Sequence, residues 1–152
     1  MTKVKYSHAN LIATDWKKIA KFYIDVFGCI QVGPVRRLSG QSVAAGTGLT
    51  QPEIEGVHLR LPGYGEGGPT LEVFQYRHIH EEPEKFANSR GFSHIAFEVS
   101  DVEAVCAKVI SSGGWLLGKL ARQPVEGVGV CTFVYVRDPD RNIIEVQAWE
   151  TP

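Results

Sequence analysis

The chain repeats itself once, at a fixed spacing. Tyr6-Ser7-His8 returns as Phe92-Ser93-His94, and His8 to His94, Asp15 to Asp101 and Gly28 to Gly114 are each 86 residues apart. Each copy reads aromatic, Ser, His, a short apolar strand, Asp, about three turns of amphipathic helix, then Gly. Each also closes on a strand carrying one carboxylate, Thr70-Leu71-Glu72-Val73-Phe74 and Ile143-Ile144-Glu145-Val146-Gln147. A unit of this kind leaves a hydrophobic helix face and an open sheet edge if isolated. Pairing two of them, within the chain or across a dimer, buries both.

Local patterns fill in the units. Asp15 suits the N-cap of a helix over 16–27 whose Ile19, Phe22, Tyr23 and Val26 share one side, with Gly28 as its stop. Asp101 suits the cap of a second helix over 102–112, where Val102, Val105, Cys106, Val109 and Ile110 follow helical spacing before Gly113-Gly114. Strands are expected at 5–13, 29–38, 55–61 and 70–76, and again at 93–99, 115–121, 130–136 and 143–149. The expected fold is therefore α+β, two tandem βαβββ modules forming a curved eight-stranded mixed sheet around a central cavity. One domain is built from module 1 (about residues 4–78) and module 2 (about 91–150), with a polar linker over 79–90. Residues 39–52, poor in charge and rich in Gly, Ser and Thr, read as a mobile loop over a pocket.

Bulk properties exclude several classes. With a net charge of −1 and no basic stripe or polybasic run, nothing points to nucleic acid or a membrane surface. No apolar run approaches a spanning helix, and the N-terminus lacks a signal-peptide core. The three cysteines, Cys29, Cys106 and Cys131, show no C-x-x-C spacing and suit buried reduced thiols. A cytoplasmic protein handling a small molecule is the expectation.

Alternation assigns faces. Tyr6, His8 and Asn10 share one, Glu72 goes with Phe74 and Tyr76, His94 with Ala96, and Glu145 with Gln147 and Trp149. If Leu71, Val73, Ile144 and Val146 pack under the helices, His8, Glu72, His94 and Glu145 all face the other way. Two imidazoles and two carboxylates suit one divalent ion, Zn, Ni, Co, Fe or Mn. On a six-coordinate ion they leave two adjacent positions for a substrate with neighbouring oxygens. Such an ion stabilises an enediolate, and Glu145 or Glu72 serves as base for the proton beside the carbonyl. Tyr135, ten residues before Glu145, and Asn10 are candidate contacts to substrate oxygen. The glycine run Gly63-Tyr64-Gly65-Glu66-Gly67-Gly68 joins two strands with no helix after it, so it reads as a hairpin tip rather than a phosphate loop.

His8-Ala9-Asn10-Leu11 with Phe22-Tyr23, Leu71-Glu72, Gly91-Phe92-Ser93-His94-Ile95-Ala96-Phe97-Glu98-Val99 and Asp138-Pro139-Asp140-Arg141-Asn142-Ile143-Ile144-Glu145 together resemble the vicinal oxygen chelate superfamily. That group holds glyoxalase I, methylmalonyl-CoA epimerase, fosfomycin-resistance proteins, extradiol dioxygenases and bleomycin-resistance proteins. The resemblance implies a homodimer and a metal held by His8, Glu72, His94 and Glu145, a set similar to bacterial glyoxalase I. Ile12 stands where glyoxalase I usually carries an Arg that binds the glutathione carboxylate, and an apolar side chain makes no such contact. A glyoxalase-type lyase or isomerase, lactoylglutathione lyase-like or acyl-CoA epimerase-like, is the first expectation. An Fe²⁺ extradiol dioxygenase using His8, His94 and Glu145 is the second. A non-enzymatic small-molecule binding or resistance protein is the third.

Overall fold

A computed structural model describes residues 2–151, which divide into two compact units. The first takes the chain up to Ile24 and Gly28–Glu81, the second takes Asp25–Phe27 and the chain from Glu82. The first contains β1 (His8–Ile12), most of α1 (Trp16–Phe27), β2 (Ile30–Leu38), α2 (Gln41–Thr47), β3 (Ile54–Arg60) and β4 (Thr70–Tyr76). Its sheet runs β1-β4-β3-β2, parallel between β1 and β4 and antiparallel elsewhere. The second contains β5 (His94–Glu98), α3 (Val102–Ser111), β6 (Trp115–Leu116), β7 (Ala121–Val125), β8 (Gly129–Arg137) and β9 (Ile143–Glu150). Its order is β5-β9-β8-β6, with β7 also on β8 and β5 parallel to β9. The two sheets are thus the same α+β design used twice.

The helices begin and end as their caps dictate. Asp15 Oδ1 accepts from the N–H groups of Lys17 at 3.0 Å and Lys18 at 3.2 Å, and Asp101 Oδ1 accepts from Ala104 N–H at 2.9 Å. Both groups would otherwise lack a partner in the first turn. Gly28 takes φ +71° and its N–H returns to Ile24 O at 3.0 Å, a left-handed stop that a side chain resists.

Burial follows the period-2 pattern. Leu71, Val73, Val57 and Leu59 of the first sheet are fully or almost fully buried, as are Ile19, Phe22 and Tyr23 of α1. In the second unit Ile144, Val146, Val134 and Val136 are buried with Val102 and Val109 of α3, and Phe27 stacks on Phe97 with ring centroids 4.1 Å apart. One face of each sheet is therefore committed to its core, which leaves the other for polar groups.

Four sequence expectations change. The strand expected over 5–13 starts only at His8. The strand expected over 115–121 breaks into β6 and β7, since Leu116 pairs with Val136 but Ala121 with Phe133, which puts two extra residues around Gly118. Among the described residues nine strands result where eight were expected. Residues 39–52 carry α2, a helix of two turns stopped by Gly48 at φ +72°; its Gly, Ser and Thr content hid the helical signal. A similar irregularity lies in β2, where Val32 faces His58 but Arg36 faces Gly56. Each irregularity lies at an edge of its sheet, where bulges commonly blunt further pairing. Among the described residues no helix is long and apolar enough to cross a membrane.

Candidate functional site

Directly opposed residues on neighbouring strands point to the same side of a sheet. In the first unit His8 faces Thr70, Asn10 faces Glu72, and Glu72 in turn faces His58. In the second, His94 faces Ile143, Ala96 faces Glu145, and Glu145 faces Tyr135. The register is the same in both, so His8 corresponds to His94, Glu72 to Glu145, and His58 to Tyr135.

The side chains close on each other in the same way. His8 Nε2 lies 3.2 Å from Glu72 Oε2, and His94 Nε2 lies 3.1 Å from Glu145 Oε2. Each pair thus forms within its own unit. Glu72 is the more tethered carboxylate: Asn10 Nδ2 donates to its Oε2 at 3.2 Å, and His58 Nε2 is 2.8 Å from its Oε1. Asn10, a candidate contact to substrate oxygen, thus uses one amide N–H on this carboxylate.

His58 was not anticipated. It is buried, its Nδ1 lies 3.0 Å from Thr70 Oγ1, and its ring meets those of His8 and Phe74 edge-on at 5.8 Å. Its Nε2, though within ion-pair distance of Glu72, has no atom aligned with it for a hydrogen bond. Burial holds the imidazole below its ordinary pKa, and Arg36 and His8 push the same way against the pull of Glu72, which favours the neutral ring. A signal was available in the sequence: alternation puts His58 on the face opposite Val57 and Leu59, two residues of the buried side.

Tyr135 sits beside His94, with ring centroids 4.9 Å apart. Burial, and then the Glu145 carboxylate, raise the phenol above its ordinary value, so it stays a hydrogen-bond donor at neutral pH. Cys29 is buried and its thiol is pushed up to about 12 by that burial.

An imidazole beside a carboxylate is a donor pair that a divalent ion accepts. Two ligands on one ion at about 2.0–2.2 Å stand about 2.8–3.6 Å apart between octahedral and tetrahedral angles, and both His–Glu pairs, at 3.2 and 3.1 Å, meet that spacing. Among the described residues no group of three or more His, Cys, Asp or Glu is arranged to hold an ion. The fit is therefore of two half-sets, each an imidazole and a carboxylate of the kind Zn²⁺ and its neighbours take.

A family model described as the Glyoxalase/Bleomycin resistance protein/Dioxygenase superfamily matches residues 5–146. No curated protein matches the chain by sequence. Among solved structures, a glyoxalase family protein from Bacillus cereus superposes with a TM-score of 0.83 at 16% identity, covering 98% of this chain and 96% of its own. The fosfomycin resistance protein FosX of Listeria monocytogenes gives 0.58 at 18% identity over 99% and 96%. TioX from Micromonospora sp. ML1 gives 0.53 at 16% over 97% and 100%. At these identities the likeness concerns the fold.

Proposed function

This chain belongs to the glyoxalase/bleomycin resistance protein/dioxygenase superfamily, and from that premise we propose that it is a metal-dependent lyase or isomerase of the glyoxalase type. Its substrate is a small molecule with a carbonyl next to a second oxygen function, and the reaction begins by removing the proton beside that carbonyl. The two pairs, His8–Glu72 and His94–Glu145, would supply the imidazole and carboxylate donors of a divalent ion. The observation that carries this reading is the duplicated pair itself, with matching register and Nε2···Oε2 separations of 3.2 and 3.1 Å.

When bound, the ion supplies Lewis acidity to the substrate oxygens. The proton is the task of a carboxylate, and the contacts divide the work. Asn10 donates to Glu72 Oε2 and the buried His58 ring stands 2.8 Å from Oε1, leaving the carboxylate little room, which suits a residue that stays in place. Glu145 is held by His94 at one oxygen and is the better base. Base assistance of this kind is worth about 10²–10⁴-fold. Tyr135, protonated and beside His94, is placed on the same strand face to donate to a substrate oxygen as charge builds on it.

Elemental analysis of tag-free protein, purified without chelator, should find a stoichiometric divalent ion that is lost in His8→Ala and Glu145→Gln. A screen of α-ketoaldehyde–thiol adducts, acyl-CoA epimers and catechols then identifies the substrate class. Glu145→Gln should abolish proton exchange at the substrate carbon. Exchange unaltered in both Glu145→Gln and Glu72→Gln, or protein free of metal, rejects the reading.

A second reading is an Fe²⁺ ring-cleaving dioxygenase with His8, His94 and Glu145 as ligands. The hydrogen bond from Asn10 to Glu72 favours it, since a carboxylate so occupied can serve structure alone. Oxygen consumption with a catechol, retained in Glu72→Ala, would select it.

A further inference from the structure

Next to the His8–Glu72 pair, and sharing His58 as its inner wall, the first unit opens a cavity of about 510 Å³. That is within the range of small-molecule sites, roughly 300–1,000 Å³. Its polar lining is cationic or neutral: Lys5, Arg36, His58, Tyr6, Ser7 and Thr70, with no Asp or Glu among the described residues that line it. Lys5 is fixed at the mouth, where its Nζ donates to Gly67 O at 2.9 Å and keeps two hydrogens free.

Arg36 is there because of the irregularity in β2. Between Val32 and Arg36 the strand advances four residues while β3 moves only from His58 to Gly56. The two added residues include Gly33 at φ +71°, and because their number is even the side-chain alternation survives. Arg36 thus lands on the same face as Val32 and His58. Its neighbour Arg37, on the other face, is paired with Glu55 at 2.9 Å. Arg36 has no such acid partner among the described residues.

We infer that this cavity is an oxyanion subsite in which Arg36, with Lys5 and the hydroxyls of Ser7 and Thr70, holds a carboxylate or phosphate arm of the substrate. A guanidinium fork with an unspent hydrogen-bonding edge matches two oxygens of such a group. His58, buried and with Nε2 unaligned to any acceptor, separates the arm from Glu72 by one side chain. The assignment of the arm to a substrate rests on the function proposed above; the anion site itself does not.

The test uses the full chain, with metal and after chelator treatment, near 0.15 M ionic strength so that diffuse attraction is screened. Calorimetric titration with inorganic phosphate and, separately, with acetate should show saturable binding of at least one anion that survives metal removal. Arg36→Gln should weaken it by about tenfold or more, with partial recovery in Arg36→Lys. Arg77→Gln, which breaks a surface pair with Glu53 away from the cavity, should leave it unchanged. Phosphate and acetate affinities together tell which oxyanion the site prefers. Absence of saturable binding for both anions, or equal weakening by Arg36→Gln and Arg77→Gln, overturns the inference. Metal content, read on the same Arg36→Gln protein, should match wild type. A chain that binds the anion through Arg36 yet never holds metal keeps this inference and loses the proposed reaction, and the converse result does the opposite.

Discussion

Asp138→Ala should cost more stability than any surface carboxylate in the chain. Asp138 is wholly buried in the turn that launches β9. Its Oδ1 accepts from the backbone N–H groups of Asp140 and Asn142, both at 2.9 Å, and its Oδ2 accepts from Asn142 Nδ2 at 2.9 Å. Alanine removes every one of these acceptors at once. A donor left without a partner away from water costs about 1–3 kcal/mol. With water reaching part of this half-buried turn, the expected loss is about 3 kcal/mol in total. For a chain of this size each kcal/mol shifts Tm by about 2–4 °C, so the melting temperature should fall by about 6–12 °C by calorimetry or circular dichroism. Asp101→Ala is the internal reference. Its one exposed capping bond, to Ala104 N–H, is worth about 1 kcal/mol. Asp138→Asn, which keeps an acceptor for the backbone, should fall between the two. If Asp138→Ala loses no more than Asp101→Ala, the turn is not what holds the start of β9, and the reasoning fails.

Two further outcomes follow from burial. Cys29 has a folded-state pKa raised from 9.0 to about 12, so its contribution is fully present below about pH 9 and is lost as pH rises toward 12, where the unfolded chain ionises first. Denaturant titrations at pH 8 and pH 10.5 should show a larger stability loss in wild type than in Cys29→Ala; equal losses would refute the assignment. At Gly56 an added Cβ would stand 2.1 Å from Val73 O and 2.7 Å from the Phe74 ring. Gly56→Ala should therefore destabilise by about 2–3 kcal/mol through forced displacement of β3 against β4, measured by the same titration, and a neutral effect would mean the sheet yields freely there.

The parts of this fold legible in the sequence were those written in local chemistry or in the repeat. Asp15 and Asp101 announced two helices because a capping carboxylate acts on N–H groups two or three residues away. Alternation placed Leu71, Val73, Ile144 and Val146 in the core, and so turned Glu72 and Glu145 the other way. What stayed hidden depends on pairing between distant segments. Arg137 and Asp138 sit in the charged run that leads from β8 to β9, yet both are buried. Arg137 donates to Lys85 O at 2.6 Å and to Arg141 O, which no local pattern reveals. The break between β6 and β7 needed the position of β8, and the landing place of Arg36 needed the count of residues across the β2 irregularity.

His58 is the instructive case, because the repeat contained the means to find it. Tyr135 drew notice for lying near Glu145, and in the second sheet it is the residue directly across from that carboxylate. The same place in the first sheet is held by His58, directly across from Glu72. The two copies keep their His–Glu pairs and differ at the next strand, an imidazole in one and a phenol in the other. That difference makes the carboxylates unequal: one is crowded by a buried ring, while the other stands beside a phenol that keeps its proton and can donate a hydrogen bond. A duplicated scaffold needs such an asymmetry before two like carboxylates can take separate duties, one holding and one transferring. Substituting the pair reciprocally, His58→Tyr with Tyr135→His, should therefore exchange or erase the division between Glu72 and Glu145 in proton-exchange assays, whereas a chain whose carboxylates respond as before would show that the division lies elsewhere.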